Sequence, residues 1–274
     1  MTYKPCEELR LPSLYSDYLK RQVIADVLVP PAYAKSRRRY PLLLLNDGQD
    51  LGRLRLKATL SRLFQKQQIH ELIVVAVHAG DRLQEYGITG HPDYQRRGSR
   101  ARQYAQFISR ELLPFLDQTF RLDLETAVNG VAGCSLGGLS ALDLAWQFPQ
   151  WFRCVGVFSG SLWWRSRPYG PNFDENRHRI AHLMIRNSTQ RPGLRFWFQA
   201  GTHDETADRN NNGIIDAIDD TLDLITELVH KGYRPFRDVT YCEVLQGRHH
   251  PSTWAKVMPC FLQWGWGLKP RSCC

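Results

Sequence analysis

The sequence predicts an α/β fold with one mostly parallel central sheet of about eight strands and helices on both faces. Short apolar, β-branched runs alternate with segments of helical periodicity, which is typical of parallel strands joined by helical crossovers. Residues 40–45 are apolar almost without interruption, as expected for a central strand covered on both sides. The 274 residues suffice for one large domain, and neither a repeat nor a linker divides them. We therefore expect a single domain over 1–274.

Each element has a local signal. Strands are predicted at residues 9–12, 22–29, 40–45, 71–77, 127–132, 155–158, 194–200 and 239–244, where apolar runs end at turn clusters. Helices are predicted at residues 59–67, 102–117, 139–147, 175–186 and 218–230, with a closing helix from about Trp254. Pro149 ends the third helix and Gly232 supplies the cap of the fifth.

The cysteine content and the hydrophobic pattern bear on where the protein is found in the cell. Seven cysteines, an odd number without metal-type spacing, predict free thiols in a reducing compartment, and hence a cytoplasmic protein. The pair Cys273–Cys274 is expected to be a frayed tail, with lipidation or metal binding as the alternative. The first residues show no signal-peptide pattern, and no apolar run reaches the length of a membrane span. We expect no membrane partner.

The formal net charge is +9, and arginines cluster at residues 37–39, 96–102 and 177–179. No aromatic stripe interleaves these clusters, as a nucleic-acid platform would require, so we expect no nucleic-acid partner. Two interpretations stay open: a solvated basic surface, or attraction of an anionic substrate.

Residues 133–137 read Gly-Cys-Ser-Leu-Gly between a predicted strand and a predicted helix. A G-x-S-x-G sequence at such a corner is the nucleophile elbow of the α/β-hydrolase fold. The turn would lift the Ser135 hydroxyl above the sheet, and the flanking glycines would avoid a clash where strand and helix cross. The alternative is a glycine-rich turn in which the serine has no catalytic role.

A serine hydroxyl needs a base to remove its proton and an acid to orient that base. In this fold the order is serine, acid, histidine, each on a loop after a strand. Asp204 and Glu205 compete for the acid, and His249, preferred over His250, would be the base. The backbone N–H groups of Leu136 and Gln49 would form the oxyanion hole.

At this point the chain resembles the esterase family that includes enterochelin esterases, feruloyl esterase domains and S-formylglutathione hydrolases. The resemblance covers residues 21–266. Its motifs are Asn46-Asp47-Gly48-Gln49-Asp50, Arg82 with Glu85-Tyr86, the helix Tyr104 to Pro114, Ala132 to Gly138, Phe158 to Ser161, Gly201-Thr202-His203-Asp204, and His249 with Trp254. The resemblance implies a carboxylic-ester hydrolase with a Ser135–His249–Asp204 triad and no redox or nucleotide cofactor. His250 stands where the family commonly has an aspartate.

A second pattern lies beside the acid. Residues 208–219 follow the EF-hand calcium loop, with a glycine at position 6 for the sharp turn. The expected ligands are Asp208, Asn210, Asn212, the carbonyl of Ile214, Asp216 and Asp219. We expect a structural Ca²⁺ that fixes the loop presenting Asp204, with a metal-free Asn/Gly turn as the alternative.

Trp163 and Trp164 follow the motif at 158–161, and either could wall the substrate pocket or pack inside the protein. The leading hypothesis is a serine carboxylic-ester hydrolase that acts on a small-molecule ester and needs no cofactor for catalysis. An acyltransferase or thioesterase of the same fold, or an inactive scaffold, is the alternative. Oligomeric state is not predicted.

Overall fold

The computed structural model describes residues 5–12 and 14–269. The Cys273–Cys274 pair and the residues before Pro5 lie outside this range. The strands are β1 (Glu7–Arg10), β2 (Leu14–Ser16), β3 (Arg21–Val23), β4 (Ala25–Val29), β5 (Leu42–Asn46), β6 (Ile73–Val77), β7 (Gly130–Cys134), β8 (Cys154–Phe158), β9 (Arg195–His203) and β10 (Val239–Arg248).

Eight of these strands form one sheet in the order β1-β4-β6-β5-β7-β8-β9-β10. Strand β4 is antiparallel to both of its neighbours, β1 and β6. The other strands of the sheet, β6, β5, β7, β8, β9 and β10, run parallel to one another. The predicted fold class is therefore confirmed.

Helices join the parallel strands. They are α1 (Leu56–Gln65), α2 (Arg82–Glu85), α3 (Ala101–Phe107), α4 (Leu113–Thr119), α5 (Leu136–Gln147), α6 (Glu175–His178), α7 (Ile180–Arg186), α8 (Asp216–His230) and α9 (Pro251–Trp266). A π-helical turn over Ile108–Leu112 connects α3 to α4, so the predicted helix at 102–117 is one continuous segment with a local widening.

Two predicted elements are divided in the structure. The run 22–29 breaks at the exposed Ile24, because β3 pairs with β2 in a separate hairpin while β4 joins the main sheet. The helix expected at 175–186 breaks at Arg179, whose backbone is extended. The guanidinium of Arg179 is buried and bonds to Asp223 at 2.6 Å, a contact that helical periodicity does not reveal.

Both faces of the sheet carry a packed core. One core lies between the sheet and α3, α5 and α7, and the other between the sheet and α1 and α9. The central strands β5, β6, β7 and β8 are buried at every residue, as their uninterrupted apolar sequences require. No helix within residues 5–12 and 14–269 is long and apolar enough to cross a membrane.

Candidate active site

The turn between β7 and α5 holds Ser135 in a strained conformation. Its φ and ψ are 57° and −124°, a region that residues other than glycine rarely occupy and that costs about 1–3 kcal/mol. A Cβ on Gly133 would lie 2.3 Å from the carbonyl oxygen of Gly137, so only glycine permits this crossing. The Ser135 hydroxyl lies 3.3 Å from the hydroxyl of Ser161. The geometry of this corner matches the predicted elbow.

The two expected oxyanion donors lie on segments next to this corner. Leu136 is the first residue of α5, where a backbone N–H has no acceptor within the helix. Gln49 lies in a 3₁₀ turn (Gly48–Asp50) directly after β5. The Gln49 side chain donates to Asp47 Oδ1 (2.9 Å) and accepts from the N–H of Ala79 (3.1 Å). These bonds hold the turn against the loop that follows β6.

An ion pair supports the floor of the site. Asp47 is 4% exposed, and both of its carboxylate oxygens accept from Arg82, at 2.8 and 3.0 Å. Arg82 also donates to the carbonyl of Cys134 at 3.2 Å, which ties it to the elbow. A Cβ on Gly137 would lie 2.6 Å from Asp47 Oδ2. The aspartate therefore packs directly beneath the start of α5.

Sequence reasoning assigned no role to Arg82 or Asp47, although both stand in motifs that it singled out. The N–H of Asp47 donates to the hydroxyl of the fully buried Tyr86 at 3.0 Å. Burial raises the pKa of Tyr86 well above its ordinary value, so the phenol stays protonated. A buried aspartate facing an arginine 35 residues away depends on the folded chain, which is why the local pattern did not reveal the pair.

Asp204 lies in the turn that follows β9. The N–H of Gly201 donates to Asp204 Oδ2 at 2.9 Å. The other oxygen, Oδ1, is buried and has no hydrogen-bond partner among the described residues. The competing Glu205 accepts from the N–H of Ala217 at the start of α8, and desolvation raises its pKa. Of the two acids, Asp204 thus has a carboxylate oxygen that is free to accept a hydrogen bond.

His249 lies directly after β10, and its surroundings come from several elements. Desolvation lowers the pKa of His249, the negative charge of Asp204 opposes that effect, and the positive charge of Arg82 adds to it. The indole of Trp254 meets the imidazole edge-on, with ring centroids 5.3 Å apart, and donates to the hydroxyl of Ser159 at 2.9 Å. Within the described residues no hydrogen bond links His249 to Ser135 or Asp204.

His250 is engaged elsewhere. It is the N-cap residue of α9, and its side chain accepts from the N–H of Ser252 at 3.2 Å. The two neighbouring histidines therefore differ in their contacts: His249 faces the acid and Arg82, and His250 caps a helix.

The two tryptophans have different surroundings. Trp164 is fully buried and donates to the carbonyl of His91 at 3.1 Å, so it packs inside the protein, which was one of the two alternatives. Trp163 is partly exposed, with the guanidinium of Arg97 4.7 Å from its ring centroid. Of the two tryptophans, Trp163 is the one with exposed surface.

The loop at 208–219 is folded by its own side chains. Asp208 accepts from the N–H groups of Asn212 (3.1 Å) and Gly213 (2.9 Å). The amide groups of Asn210 and Asn212 both donate to Asp219 Oδ2, at 3.0 and 2.8 Å. Four of the expected calcium-binding side chains thus converge.

Asp216, a further expected ligand, has a different partner. Its carboxylate accepts from the N–H of Arg209 at 2.9 Å and lies 3.1 Å from the Arg209 guanidinium. Ile214 is partly exposed, and its N–H donates to Asn212 Oδ1 at 2.7 Å. In the part of the chain that the structure describes, no three His, Cys, Asp or Glu side chains form a group able to hold a metal.

Among curated relatives, the protein YbbA of Bacillus subtilis strain 168 is 26% identical over 142 residues, which cover 50% of this chain and 56% of YbbA. Iron(III) enterobactin esterase of Escherichia coli K12 is 26% identical over 175 residues, or 64% of this chain and 40% of that protein. The chain spans about half the length of the curated relatives it matches.

Solved structures share the fold. A ferulic acid esterase superposes with a TM-score of 0.71 at 16% identity, covering 96% of this chain and 98% of its own. The enterobactin esterase FES from Shigella flexneri, in the presence of enterobactin, gives a TM-score of 0.72 at 22% identity, covering 96% and 59%. A family model described as "Putative esterase" matches residues 16–263. Since that match spans most of the sequence, the chain belongs to this esterase family.

Proposed function

We propose that this chain hydrolyses carboxylic esters of small molecules through an acyl-enzyme formed on Ser135. The observation that carries the proposal is the strained backbone of Ser135 at the corner of β7 and α5, where its hydroxyl is available above the carboxyl edge of the sheet. The relatives named as ferulic acid and enterobactin esterases support an ester as the substrate class. No cofactor takes part in the proposed steps.

In the proposed mechanism Ser135 attacks the ester carbonyl while His249 accepts the hydroxyl proton. His249 then gives that proton to the leaving alcohol, and water releases the acyl group by the same route. Asp204 Oδ1 would accept the other imidazole N–H, since that oxygen is buried without a partner among the described residues. Catalytic hydrogen bonds are often long before substrate binds and shorten in the complex, so the open contacts at His249 are compatible with this role.

The N–H groups of Leu136 and Gln49 would stabilise the oxyanion of the tetrahedral intermediate. Removal of one such donor typically lowers kcat by about 10²–10³-fold. Trp163 would contact the substrate, because it is the partly exposed member of the tryptophan pair.

A fluorophosphonate probe tests the nucleophile. We expect the wild-type protein to be labelled, Ser135→Ala to remain unlabelled, and a 4-nitrophenyl ester to be cleaved only by the wild type. The matched control is Ser161→Ala, since that hydroxyl is the neighbour at 3.3 Å and its loss should leave labelling intact. Equal labelling of Ser135→Ala, or no labelling of the wild type, would contradict the proposal and favour a scaffold.

A competition between water and added alcohols for the acyl-enzyme separates the hydrolase from an acyltransferase. We expect the free acid as the main product at all alcohol concentrations below about 0.1 M, where water is in large excess. Predominant formation of a new ester would favour the transferase.

We also propose that the loop at 208–219 binds a structural Ca²⁺ that stiffens the segment between Asp204 and α8. Asp208, Asn210, Asn212, Asp219 and the carbonyl of Ile214 would hold it, because carboxylate, amide and carbonyl oxygens suit this cation. The convergence of these side chains supports the proposal. Asp216 would become a Ca²⁺ ligand only if its carboxylate gave up its contacts with Arg209.

Calorimetry of chelator-treated protein tests the calcium loop. We expect uptake of one Ca²⁺ with weakened binding in Asp208→Asn, and a smaller loss in Asp216→Asn because that side chain is already paired. The melting temperature should rise with Ca²⁺ most in the wild type, less in Asp216→Asn and least in Asp208→Asn. No uptake up to millimolar Ca²⁺ would refute the proposal.

We also propose that one cytoplasmic domain carries the whole activity. The loops that carry Ser135, Asp204 and His249 all extend from a single sheet, and Cys6, Cys134 and Cys154 carry free thiols, as is typical of a reducing compartment. Fractionation of cells that express the tagged protein tests the location.

A further inference from the structure

A groove of about 790 Å³ lies between α1, with the turn before it, and the first part of α9. Its positively charged lining residues are Arg53, Arg55, Arg62 and Lys256, and no aspartate or glutamate lines it. Neither helix has an acidic residue in its first turn to offset the positive end of its dipole. The groove is therefore a concentrated positive surface.

Most of this charge is not neutralised by the protein. Arg53 pairs with Asp50 at 2.9 Å. For Arg55, Arg62 and Lys256 the structure records no ion pair within residues 5–12 and 14–269. Elsewhere on the molecule many arginines are paired with acids, as Arg97 is with Asp93 and Arg234 with Asp238. Like charges gathered without a counter-charge repel one another, and an anion placed between them relieves that repulsion.

The position of the groove relates it to the proposed reaction. Gly52 and Arg53 follow the turn that contains Gln49, and His250 and Pro251 follow His249 directly. The groove lining therefore includes the residue that follows the proposed catalytic base in the chain. In acyl transfer that base delivers its proton to the leaving oxygen, so the alcohol half of the ester lies on the histidine side.

We propose that this groove binds an anionic oxygen group, a phosphate or a carboxylate, carried on the alcohol half of the substrate. The inference rests on the proposed ester hydrolysis and adds the charge of the substrate to it. Arginine suits such groups because its planar guanidinium donates two parallel hydrogen bonds to a carboxylate or phosphate. The leaving alcohol would then depart with its anionic group held at Arg55, Arg62 and Lys256.

Matched acetyl esters test the proposal. Alcohols with linkers of two to six carbons would end in a phosphate, a carboxylate or a neutral methoxy group, and acetate release gives kcat/KM for each. We expect the wild type to favour the anionic esters by about tenfold at low salt, since three exposed charges each contribute modestly. This preference should shrink as salt rises. The two anionic series show whether phosphate or carboxylate is favoured.

The variant Arg55→Gln/Arg62→Gln/Lys256→Gln should lose the preference through KM and cleave the neutral ester at the wild-type rate. The matched control is Lys35→Gln/Arg37→Gln/Arg237→Gln, which removes the same charge from exposed positions outside the groove and should retain the preference. Neutral-ester cleavage without any charge preference, or an equal loss in the control, would overturn the groove proposal while the proposed hydrolysis stands.

Binding of inorganic pyrophosphate gives a readout that does not depend on activity. Calorimetry should detect weak binding to the wild type and to Ser135→Ala, reduced about tenfold or more in the groove variant. Equal binding by the groove variant would overturn the anion site, even if ester hydrolysis is observed. Absence of any ester cleavage, with pyrophosphate binding intact, would instead contradict the proposed function.

Discussion

His249 has the most distinctive electrostatic surroundings of the site residues. Desolvation and the charge of Arg82 lower its pKa, and Asp204 raises it. The net direction is downward, so the imidazole is neutral at pH 7 and available to accept a proton. A general base is useful only in that form.

The pH dependence of kcat/KM should follow from these surroundings. We expect the acidic limb of the profile to fall below the ordinary histidine pKa of about 6.5. Replacing Asp204 with Asn removes the charge that raises the pKa, so the limb should move to still lower pH. Turnover should also fall on the order of 10⁴-fold, as when a triad acid is neutralised.

Glu205→Gln is the control for this profile, since Glu205 contacts Ala217 of α8 rather than His249. Its profile should match that of the wild type. A limb that moves to higher pH in Asp204→Asn would contradict the assigned roles.

At the scale of single elements, helix α5 illustrates how a buried charge anchors a loop. Asp143 on this helix accepts from both the N–H (3.1 Å) and the hydroxyl (2.6 Å) of Thr89. Its side chain is buried, and desolvation raises its pKa to about 6. The contact attaches the loop after α2 to the helix that begins at the elbow.

Because its pKa is raised, the Asp143 carboxyl should lower the free energy of unfolding as pH rises. The folded state holds the proton more tightly than the unfolded state, so between about pH 4 and pH 6 ionisation costs on the order of 3 kcal/mol. Asp143→Asn stays neutral and can still accept from Thr89. We therefore expect this variant to gain stability relative to the wild type between pH 4 and pH 7, as measured by urea unfolding.

Asp123 provides a control for which the pH dependence of stability has the opposite sign. Thr126 lowers the pKa of Asp123 by hydrogen bonding, so the stabilisation by Asp123 is lost as pH falls. Asp123→Asn should accordingly be less stable than the wild type at pH 7, and this difference should shrink only well below pH 3.8, the ordinary pKa of the carboxyl. A pH-independent difference between Asp143→Asn and the wild type would contradict the assignment of a buried, titrating carboxyl.

The elements themselves were largely predictable, and their exceptions have identifiable causes. The G-x-S-x-G corner was found because glycine is required wherever a strand and a helix cross closely, as at Gly133. The breaks at Ile24 and Arg179 were missed because they depend on partners outside the local run: a second hairpin for β3 and a buried acid for Arg179.

At the scale of the whole molecule, the sheet is a layer between two cores with little spare volume. A Cβ on Gly156 of β8 would lie 2.6 Å from the ring of Phe261 on α9 and 2.9 Å from Ala132. Phe261 is fully buried and meets Phe158 edge-on, with centroids 5.4 Å apart. The helix can approach the sheet this closely only because position 156 lacks a side chain.

Gly156→Ala should therefore destabilise the protein by about 1–3 kcal/mol through overpacking. In a Phe261→Leu background, where the ring is absent, the added methyl group should cost less. Gly52→Ala is the control, since nothing lies within 4 Å of its added Cβ. Urea unfolding of this control, the wild type, the two single variants and the double variant gives each cost. Equal costs in both backgrounds would mean that Phe261 is not the obstacle.

Several features follow from the sequence alone: the α/β class, the corner at Ser135, and the order in which Asp204 and His249 follow their strands. These features depend on the spacing of apolar residues, on the positions of glycines and on the residues that form turns. All three are specified by residues close together in the sequence. Only the tertiary structure decided that Asp47 faces Arg82, that Asp216 pairs with Arg209, that Trp164 is buried, and that α1 and α9 enclose a basic groove. The reason is physical: such contacts join side chains from separate segments, and their free energy exists only once the chain has folded.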